Sequence, residues 1–201
     1  MHLILFFNGW GMNEDIIKNI IPKDNMTVKC INYPYIVKDI EFFKYKHIFV
    51  VGWSFGVYYA SKFLLENKYL NCTSIAINGV PCLIGEYGIS LKMFKLTLNT
   101  LSNDNLKKFY LNMGLSLKFF PKKPNLEILK KELSDILNSS FENHCKFDRV
   151  FLGKYDRIIP YSKQLKFYTK ESSFITTLDC GHYPFETLKN WRDITCEKNE
   201  F

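Results

Sequence analysis

The sequence predicts an α/β protein built on a mostly parallel sheet of about six strands. Short runs of β-branched and aromatic residues recur along the chain and are apolar throughout, which is typical of strands buried on both faces of a parallel sheet. Segments with helical periodicity separate several of these runs. One run ends in the pentapeptide Gly-Trp-Ser-Phe-Gly, residues 52–56, which joins a strand directly to a helix.

The expected elements alternate along the chain. The predicted strands cover residues 2–7, 27–32, 48–53, 73–78, 149–153 and 173–178. A short helix over residues 12–21 should follow the first strand and end at Pro22. The helix after the pentapeptide should extend from Val57 to Asn67.

A long segment without strand signals separates the fourth and fifth strands. Residues 82–147 predict three helices, over 89–101, 103–113 and 125–138. A segment of this length is too long for a plain loop in a compact domain. We therefore expect a helical lid over residues 82–147, inserted into a core formed by residues 1–81 and 148–201, within a single structural domain.

Composition limits the class of protein. The chain has 201 residues, of which 47% are hydrophobic, enough for one soluble domain with a sizeable core. The six cysteines show neither a C-x-x-C pair nor zinc-like spacing and indicate reduced, mostly buried thiols in the cytoplasm. The apolar N-terminal run lacks the features of a signal peptide, and no apolar run is long enough for a membrane span. We expect a cytoplasmic monomer without metal or cofactor and without a membrane or nucleic-acid partner.

Three side chains capable of acid–base and nucleophilic chemistry follow three of the strands. Ser54 lies at the centre of the pentapeptide, Asp156 follows the fifth strand, and His182 follows the sixth. Because the carboxyl ends of parallel strands share one edge of a sheet, we expect these side chains to meet. Histidine would activate the serine and aspartate would orient the histidine. The chain order Ser, Asp, His is that of α/β-hydrolase triads, so the sequence predicts a compact α/β-hydrolase.

Each of these residues also has a structural interpretation. The pentapeptide could be an ordinary turn between strand and helix, Asp156 could serve only as a helix N-cap, and His182 could be a structural surface histidine. Asp179 is a second candidate for the acid, although it would have to curl back to reach Nδ1 of His182.

The oxyanion of an acyl-transfer reaction needs two preorganised N–H donors. The amide of Phe55, directly after the serine, is the first candidate. The loop Asn8-Gly9-Trp10-Gly11 after the first strand provides the second, the amide of Trp10, whose indole would also form a wall of the pocket. Trp10 could instead be a simple packing residue.

Four motifs together resemble the BioG type of pimeloyl-[acyl-carrier protein] methyl ester esterase. They are Phe6-Phe7-Asn8-Gly9-Trp10-Gly11-Met12, Gly52-Trp53-Ser54-Phe55-Gly56, Asp156-Arg157-Ile158-Ile159-Pro160 and Gly181-His182-Tyr183-Pro184-Phe185. Esterases of the broader biotin-pathway group usually have His-Gly-Trp-Gly where this chain has Asn-Gly-Trp-Gly. The resemblance implies a serine esterase that removes the methyl group from pimeloyl-acyl-carrier-protein methyl ester in biotin biosynthesis. It also implies a catalytic role for Ser54, Asp156 and His182 and an oxyanion role for the Trp10 loop.

The resemblance extends to the helical segment and its charge. In related esterases a lid segment Phe-Leu-x-Leu-Gln lines the acyl channel, and its nearest match here assigns substrate contacts to Phe109, Tyr110 and Met113, beside Trp10. Acyl carrier protein is strongly acidic. Seven lysines against two acidic residues fall between Glu86 and Lys123, in a chain of net charge +7. We expect a docking surface that includes Lys107, Lys108, Lys122 and Lys123.

Two other function classes remain open at this stage. The chain could be another carboxylesterase or an acyl thioesterase with the same triad and a different acyl pocket. It could also be a non-catalytic binding module with a hydrolase fold, which the three intact triad positions disfavour.

Overall fold

A single six-stranded sheet organises the chain. The computed structural model describes residues 1–21, 25–139 and 143–195. The strands are β1 (His2–Phe7), β2 (Met26–Ile31), β3 (His47–Trp53), β4 (Cys72–Ile77), β5 (Arg149–Gly153) and β6 (Phe174–Leu178). They lie in the order β2-β1-β3-β4-β5-β6, and every neighbouring pair is parallel. The predicted α/β fold is confirmed, and its sheet is parallel throughout.

The inner strands of the sheet are buried on both faces, as their apolar sequences predict, whereas the edge strands β2 and β6 are largely half-buried or exposed. Ile4 and Phe6 of β1 face one core, whereas Leu3 and Leu5 face the other. This alternation follows from the two-residue period of a strand. The helices on either side explain why β1 is apolar on both of its faces.

Six helices cover the sheet in the described parts of the chain. They are α1 (Phe55–Glu66), α2 (Leu91–Asn99), α3 (Asn103–Met113), α4 (Leu126–Leu137), α5 (Tyr161–Lys170) and α6 (Trp191–Thr195). Buried residues of α5 join one core, those of α2, α3, α4 and α6 join the other, and α1 contributes buried residues to both. None of the helices in the described ranges has both the length and the apolar character that crossing a membrane requires.

The predicted helix over residues 12–21 is wrong. The structure has only a 3₁₀ turn, Glu14–Ile16, whose N-cap Asn13 accepts a hydrogen bond from the amide of Asp15. The isoleucines at 16, 17 and 20 are buried, and Ile21 forms a parallel bridge with Asn190. Stiff β-branched side chains are weak helix formers, so packing determines the path of this segment. Pro22, the expected terminator, lies outside the described residues.

The insertion between β4 and β5 is helical, and local signals explain its helix boundaries. Ser90, Ser102 and Asn125 are N-caps whose side chains accept amide hydrogen bonds from the first turns of α2, α3 and α4. Gly114, with φ of 86°, ends α3 in the left-handed conformation that glycine adopts readily. The division into a core and a lid over 82–147 stays a prediction, and residues 140–142 of that range are outside the described part.

The strand order reverses between β1 and β3. β2 lies on one side of β1, and β3, β4, β5 and β6 follow on the other. In open parallel sheets the crevice at such a reversal, beyond the carboxyl ends of the strands, is where ligands bind. The loop after β1 and the pentapeptide after β3 therefore lie side by side at this crevice.

Candidate active site

Ser54 lies in a sharp turn between β3 and α1. Its φ of 56° and ψ of −122° are outside the ordinary helical and extended regions, and its amide donates to the carbonyl of Ile77 at 3.0 Å. A Cβ on Gly52 would lie 2.6 Å from Cα of Val57, and one on Gly56 would lie 1.9 Å from the carbonyl oxygen of Phe7. Both glycines are therefore required by the close approach of β1, β3 and α1.

His182 connects this serine to an acid. Its Nε2 lies 2.8 Å from Oγ of Ser54, and its Nδ1 lies 2.8 Å from Oδ2 of Asp156. The side chains of His182 and Asp156 are fully buried. The structure thus brings together the three residues predicted as a triad, in one continuous hydrogen-bonded chain.

The Asp156 carboxylate accepts hydrogen bonds at both oxygens. Oδ1 accepts from the amides of Ile158 at 2.8 Å and Ile159 at 3.0 Å, which stabilises the turn before α5. The N-cap of α5 itself is Pro160, so Asp156 is not a helix N-cap. Oδ2 accepts from His182 and from Nε2 of Gln164, the latter at 3.0 Å. The alternative acid, Asp179, is exposed at the surface. Nδ1 of His182 faces Asp156.

Three residues that hold the site were missed by sequence reasoning. Gln164 of α5 is buried against Asp156, the Trp53 indole donates to the carbonyl of His182 at 2.9 Å, and Asn78 donates through Nδ2 to the same carbonyl at 3.0 Å. Asn78 also accepts from the amide of Gly153, which ties the ends of β4 and β5 to the histidine loop. Asparagine directly after a buried strand was an available signal for Asn78. No comparable signal marks Gln164, which lies inside a helix.

A thiol nucleophile at this site is disfavoured. The five cysteines in the described ranges are free and only partly buried, less than the sequence led us to expect, and Cys196 lies outside those ranges. Burial, with Asp156 nearby, raises the pKa of Cys180 to about 11. A thiol with such a pKa is almost entirely protonated near neutral pH and is a poor nucleophile.

The loop after β1 contacts the serine directly. A Cβ on Gly9 would lie 3.4 Å from Cβ of Ser54, so the two backbones are close. Trp10 is 2% exposed, its indole stacks on Phe55 with ring centroids 6.1 Å apart, and its Nε1 donates to the carbonyl of Leu129 at 3.1 Å. In the described part of the chain, the amides of Trp10 and Phe55 donate to no protein acceptor.

A cavity of about 620 Å³ opens on the outer side of Trp10. Trp10, Phe109, Met93 and Leu96 form part of its apolar lining, and Arg157 lies at its wall. Ser54 is not among the lining residues and is only 3% exposed. The rings of Trp10 and Phe109, which both line the cavity, are in edge contact with centroids 5.1 Å apart.

Two of the predicted substrate-contacting residues have packing contacts instead of lining this cavity. The Tyr110 hydroxyl donates to the carbonyl of Gly11 at 3.0 Å, and the carbonyl of Met113 accepts from the amide of Tyr183 at 2.9 Å. Both side chains are about 2% exposed. They tie α3 to the loop after β1 and to the histidine loop.

The four lysines of the predicted docking surface are exposed. Lys107 and Lys122 line one small cavity, Lys108 lines the large cavity beside Trp10, and Lys123 lines a third. Lys107 also lies 3.9 Å from Asp104, an exposed pair that contributes little. The lysines therefore surround the region of α3 and the chain that precedes α4.

Sequence comparisons identify relatives over most of the chain. A family model described as "Pimeloyl-ACP methyl esterase BioG" matches residues 1–194. A malonyl-[acyl-carrier protein] O-methyltransferase of Bacteroides fragilis is 33% identical over 202 residues, covering 92% of this chain but only 40% of the relative. The chain therefore spans less than half of that relative. An uncharacterised protein of Haemophilus influenzae is 27% identical, with 94% of this chain and 92% of the relative covered.

Solved structures show the same fold. The crystal structure of BioG from Haemophilus influenzae superposes with a TM-score of 0.84 at 25% identity, covering 96% of this chain and 94% of that one. A bromoperoxidase from Bacillus anthracis superposes with a TM-score of 0.64 at 13% identity, covering 92% and 86% of the two chains. The second likeness concerns the fold alone.

Proposed function

The chain belongs to the BioG family of pimeloyl-acyl-carrier-protein methyl esterases, and on this premise we propose that it hydrolyses the methyl ester of pimeloyl-acyl carrier protein in biotin biosynthesis. The family is one of carboxylic ester hydrolases. The observation that carries the proposal is the buried chain of hydrogen bonds from Ser54 through His182 to Asp156. A serine hydroxyl becomes a competent nucleophile when an oriented imidazole accepts its proton.

The reaction proceeds in two halves. Oγ of Ser54 attacks the ester carbonyl while Nε2 of His182 takes the serine proton, and the protonated imidazole then returns that proton to the departing methoxide. Methanol leaves, and the pimeloyl group remains bound to Ser54 as an acyl-enzyme. His182 then takes a proton from water, whose oxygen attacks the acyl-enzyme. The imidazolium returns this proton to Oγ of Ser54 as pimeloyl-acyl carrier protein leaves with a free carboxylate. Asp156 keeps the imidazole in the required tautomer throughout.

The amides of Trp10 and Phe55 form the oxyanion hole in this proposal. Their lack of acceptors in the described structure supports this assignment. So does the close approach of Gly9 to Ser54, which places the loop beside the nucleophile, where an oxyanion donor is needed.

The insertion over residues 82–147 acts as the lid and carries the substrate channel. The apolar cavity beside Trp10 and Phe109 would receive the acyl chain, and Tyr110 and Met113 would hold α3 in place through their backbone partners. Because Ser54 is 3% exposed, the structure must open locally for the ester to reach it.

Acyl carrier protein is the proposed partner. Lys107, Lys108, Lys122 and Lys123 form an exposed basic surface around the lid that suits an acidic protein. We place the protein in the cytoplasm, where free thiols stay reduced and carrier-protein chemistry takes place. We also propose that it acts as a monomer.

The decisive experiment compares substrates and one variant. We expect the purified chain to release methanol from pimeloyl-acyl-carrier-protein methyl ester and to restore growth of a biotin auxotroph that lacks its own esterase. Replacing the nucleophile, Ser54→Ala, should lower turnover on the order of 10⁴ to 10⁶-fold and leave the circular dichroism spectrum unchanged.

Three results would contradict this assignment. Faster cleavage of acyl thioesters than of methyl esters would indicate a thioesterase. Equal rates on free and carrier-linked esters would indicate a general carboxylesterase. Failure of Ser54 to react with a fluorophosphonate probe would indicate a non-catalytic binding module.

A further inference from the structure

Glu132 of α4 is a buried carboxyl that the proposed reaction does not use. It is 1% exposed, although glutamate is rarely buried without partners. Its Oε1 lies 2.8 Å from the hydroxyl of Tyr35, and the backbone N–H of Gly11 faces its carboxyl group. Both partners belong to the surroundings of the loop after β1.

Tyr35 connects this carboxyl to the loop. Its hydroxyl lies 3.0 Å from the carbonyl oxygen of Asn8 as well as 2.8 Å from Oε1 of Glu132. A hydroxyl has a single proton and cannot fully serve two acceptors. When the Glu132 carboxyl is protonated, its own O–H can donate to Tyr35, and Tyr35 can then donate to Asn8. When the carboxyl is ionised, it competes with Asn8 for the Tyr35 proton.

Helices α3 and α4 hold the rest of this loop. The carbonyl of Leu129 accepts from the Trp10 indole, and the carbonyl of Gly11 accepts from Tyr110. Gly11 has a φ of +69°, and a Cβ there would lie 2.9 Å from Cδ2 of Leu129. The loop that would supply an oxyanion amide is thus held from its outer side by the insertion.

We propose that Glu132 and Tyr35 are a pair of positioning residues that fix the loop Asn8–Met12, and through it the amide of Trp10, relative to Ser54. This inference rests on the proposed function, because it assigns the loop to the oxyanion hole. Ionisation of Glu132 withdraws the Tyr35 proton from Asn8 and strengthens the hydrogen bond from the Gly11 N–H. The loop then shifts relative to Ser54, so turnover declines at alkaline pH.

Other titratable groups surround the carboxyl. Tyr35 and Tyr59 have stacked rings with centroids 3.7 Å apart, Cys30 of β2 lies near Tyr35, and Asp135 follows one turn later on α4. Burial raises the pKa of Cys30 to about 12 and raises the pKa values of Tyr35 and Tyr59 above their ordinary range, so all three stay neutral in the working range. Burial raises the pKa of Glu132 to about 8, which leaves it as the group that ionises between neutral and alkaline pH.

The experiment measures kcat and KM for p-nitrophenyl butyrate from pH 6.5 to 9.5, with Ser54→Ala as the blank. The variants are Glu132→Gln and Tyr35→Phe, and Glu127→Gln on the exposed face of α4 is the matched control. In Glu132→Gln the side-chain amide can donate to the Tyr35 hydroxyl and accept from the Gly11 N–H. This variant therefore preserves both hydrogen bonds but cannot ionise. Melting temperatures and the rate of fluorophosphonate labelling of Ser54 are measured in parallel.

We expect the kcat of wild type and Glu127→Gln to fall as pH rises through about 8. Glu132→Gln should keep at least half of kcat at pH 7 and lose the alkaline decline. Tyr35→Phe should lower kcat roughly tenfold at pH 7 and leave KM within twofold. The expected loss is smaller than the 10²-fold or larger effect of removing an oxyanion donor, because the Trp10 amide is displaced and not removed. An alkaline decline that persists in Glu132→Gln, or a Tyr35→Phe variant with a lower melting temperature and unchanged kcat, overturns the proposal. Wild-type protein that neither turns over the ester nor labels at Ser54 would instead refute the proposed function itself.

Discussion

At the scale of single residues, the candidate site is defined by how completely its polar atoms are paired. Asp156 accepts from two backbone amides, from His182 and from Gln164. A buried carboxylate with this number of donors is held in one orientation, because turning it would break several hydrogen bonds at once. The imidazole that it contacts is therefore fixed toward Ser54, and the geometry of the site depends on the acid as much as on the nucleophile.

Changing this acid tests the assignment. Asp156→Asn should lower kcat about 10⁴-fold, because an amide N–H facing Nδ1 of His182 imposes the wrong tautomer, as in serine proteases. The measurement is steady-state kinetics on a methyl ester at neutral pH. Asp179→Asn is the control and should stay within twofold of wild type, since Asp179 is exposed. A larger loss from Asp179→Asn than from Asp156→Asn would reassign the acid.

At the scale of elements, the turn between β3 and α1 depends on glycine for space. The Cβ that Gly56 lacks would lie 1.9 Å from the carbonyl oxygen of Phe7, much closer than two such atoms can approach without a clash. Backbone atoms of a central strand cannot move aside as the end of a flexible side chain can. The turn that places Ser54 is thus coupled to the packing of α1 against β1.

Gly56→Ala should therefore destabilise the fold strongly. We expect a loss of at least about 3 kcal/mol in the free energy of unfolding, at the upper end of overpacking effects, measured by urea denaturation. Gly85→Ala is the matched control, because Gly85 has a φ of +130° but no atom lies within 4 Å of the point that its Cβ would occupy. It should lose only the conformational contribution of about 1 kcal/mol. Equal effects of the two substitutions would mean that the crowding at Gly56 relaxes.

Helix α4 contributes a buried acid whose ionisation opposes folding. Burial raises the pKa of Glu132 to about 8 from its ordinary value of 4.5, so the folded protein holds a proton that the unfolded chain releases. The stabilising effect of this proton is fully present below the unfolded-state pKa and is lost as pH rises through the folded-state value. The stability of α4 on the sheet is consequently linked to pH.

The free energy of unfolding should fall between pH 5 and pH 9 in wild type more steeply than in Glu132→Gln. With the Glu132 pKa raised from 4.5 to about 8, wild type should lose roughly 3 to 5 kcal/mol more free energy of unfolding over that range than Glu132→Gln. Urea denaturation at several pH values provides the measurement, with Glu127→Gln as the control on the same helix. Parallel pH dependence in wild type and Glu132→Gln would show that the carboxyl ionises at its ordinary pKa.

At the scale of the whole molecule, charge is unevenly distributed. The chain has a net charge of +7, and the segment from Glu86 to Lys123 contains seven lysines and two acidic residues. The four lysines proposed for docking are exposed and surround the cavities of the insertion. Exposed charges of this kind act mainly on association with a partner of opposite charge.

Salt should separate carrier-linked from free substrate. At about 0.5 M salt the screening length shrinks to a few ångström, so KM for the carrier-linked ester should rise and the kinetics on a small free ester should change little. Reversing Lys107, Lys108, Lys122 and Lys123 to glutamate should have the same effect, with kcat on the small ester preserved. The measurement is kcat/KM for both substrates across a salt series. Equal salt dependence for the two substrates would limit these lysines to a role in solubility.

Much of the core fold was determined by local sequence signals. The apolar runs predict a parallel sheet, and the predicted bounds of β5, Arg149 to Gly153, are those observed. Helix α3 begins after its N-cap Ser102 and ends at its C-cap Gly114. These features depend on side-chain period, capping and glycine, which act over a few residues. Local signals gave the wrong prediction for residues 12–21, where the structure has a 3₁₀ turn and no α-helix. The isoleucines of this segment pack into the core with distant elements, and this packing determines the path of the chain.

The sequence by itself determined that Ser54, Asp156 and His182 follow three strands of one parallel sheet. Short stretches of sequence are enough to identify each strand and the turn residues that come after it. The tertiary structure alone decided which side chains support them. Gln164 reaches Asp156 from α5, and Glu132 reaches the Trp10 loop from α4 across more than one hundred residues of chain. No local pattern marks such residues, since a buried polar group inside a helix acquires its partner only when the helices pack against the sheet.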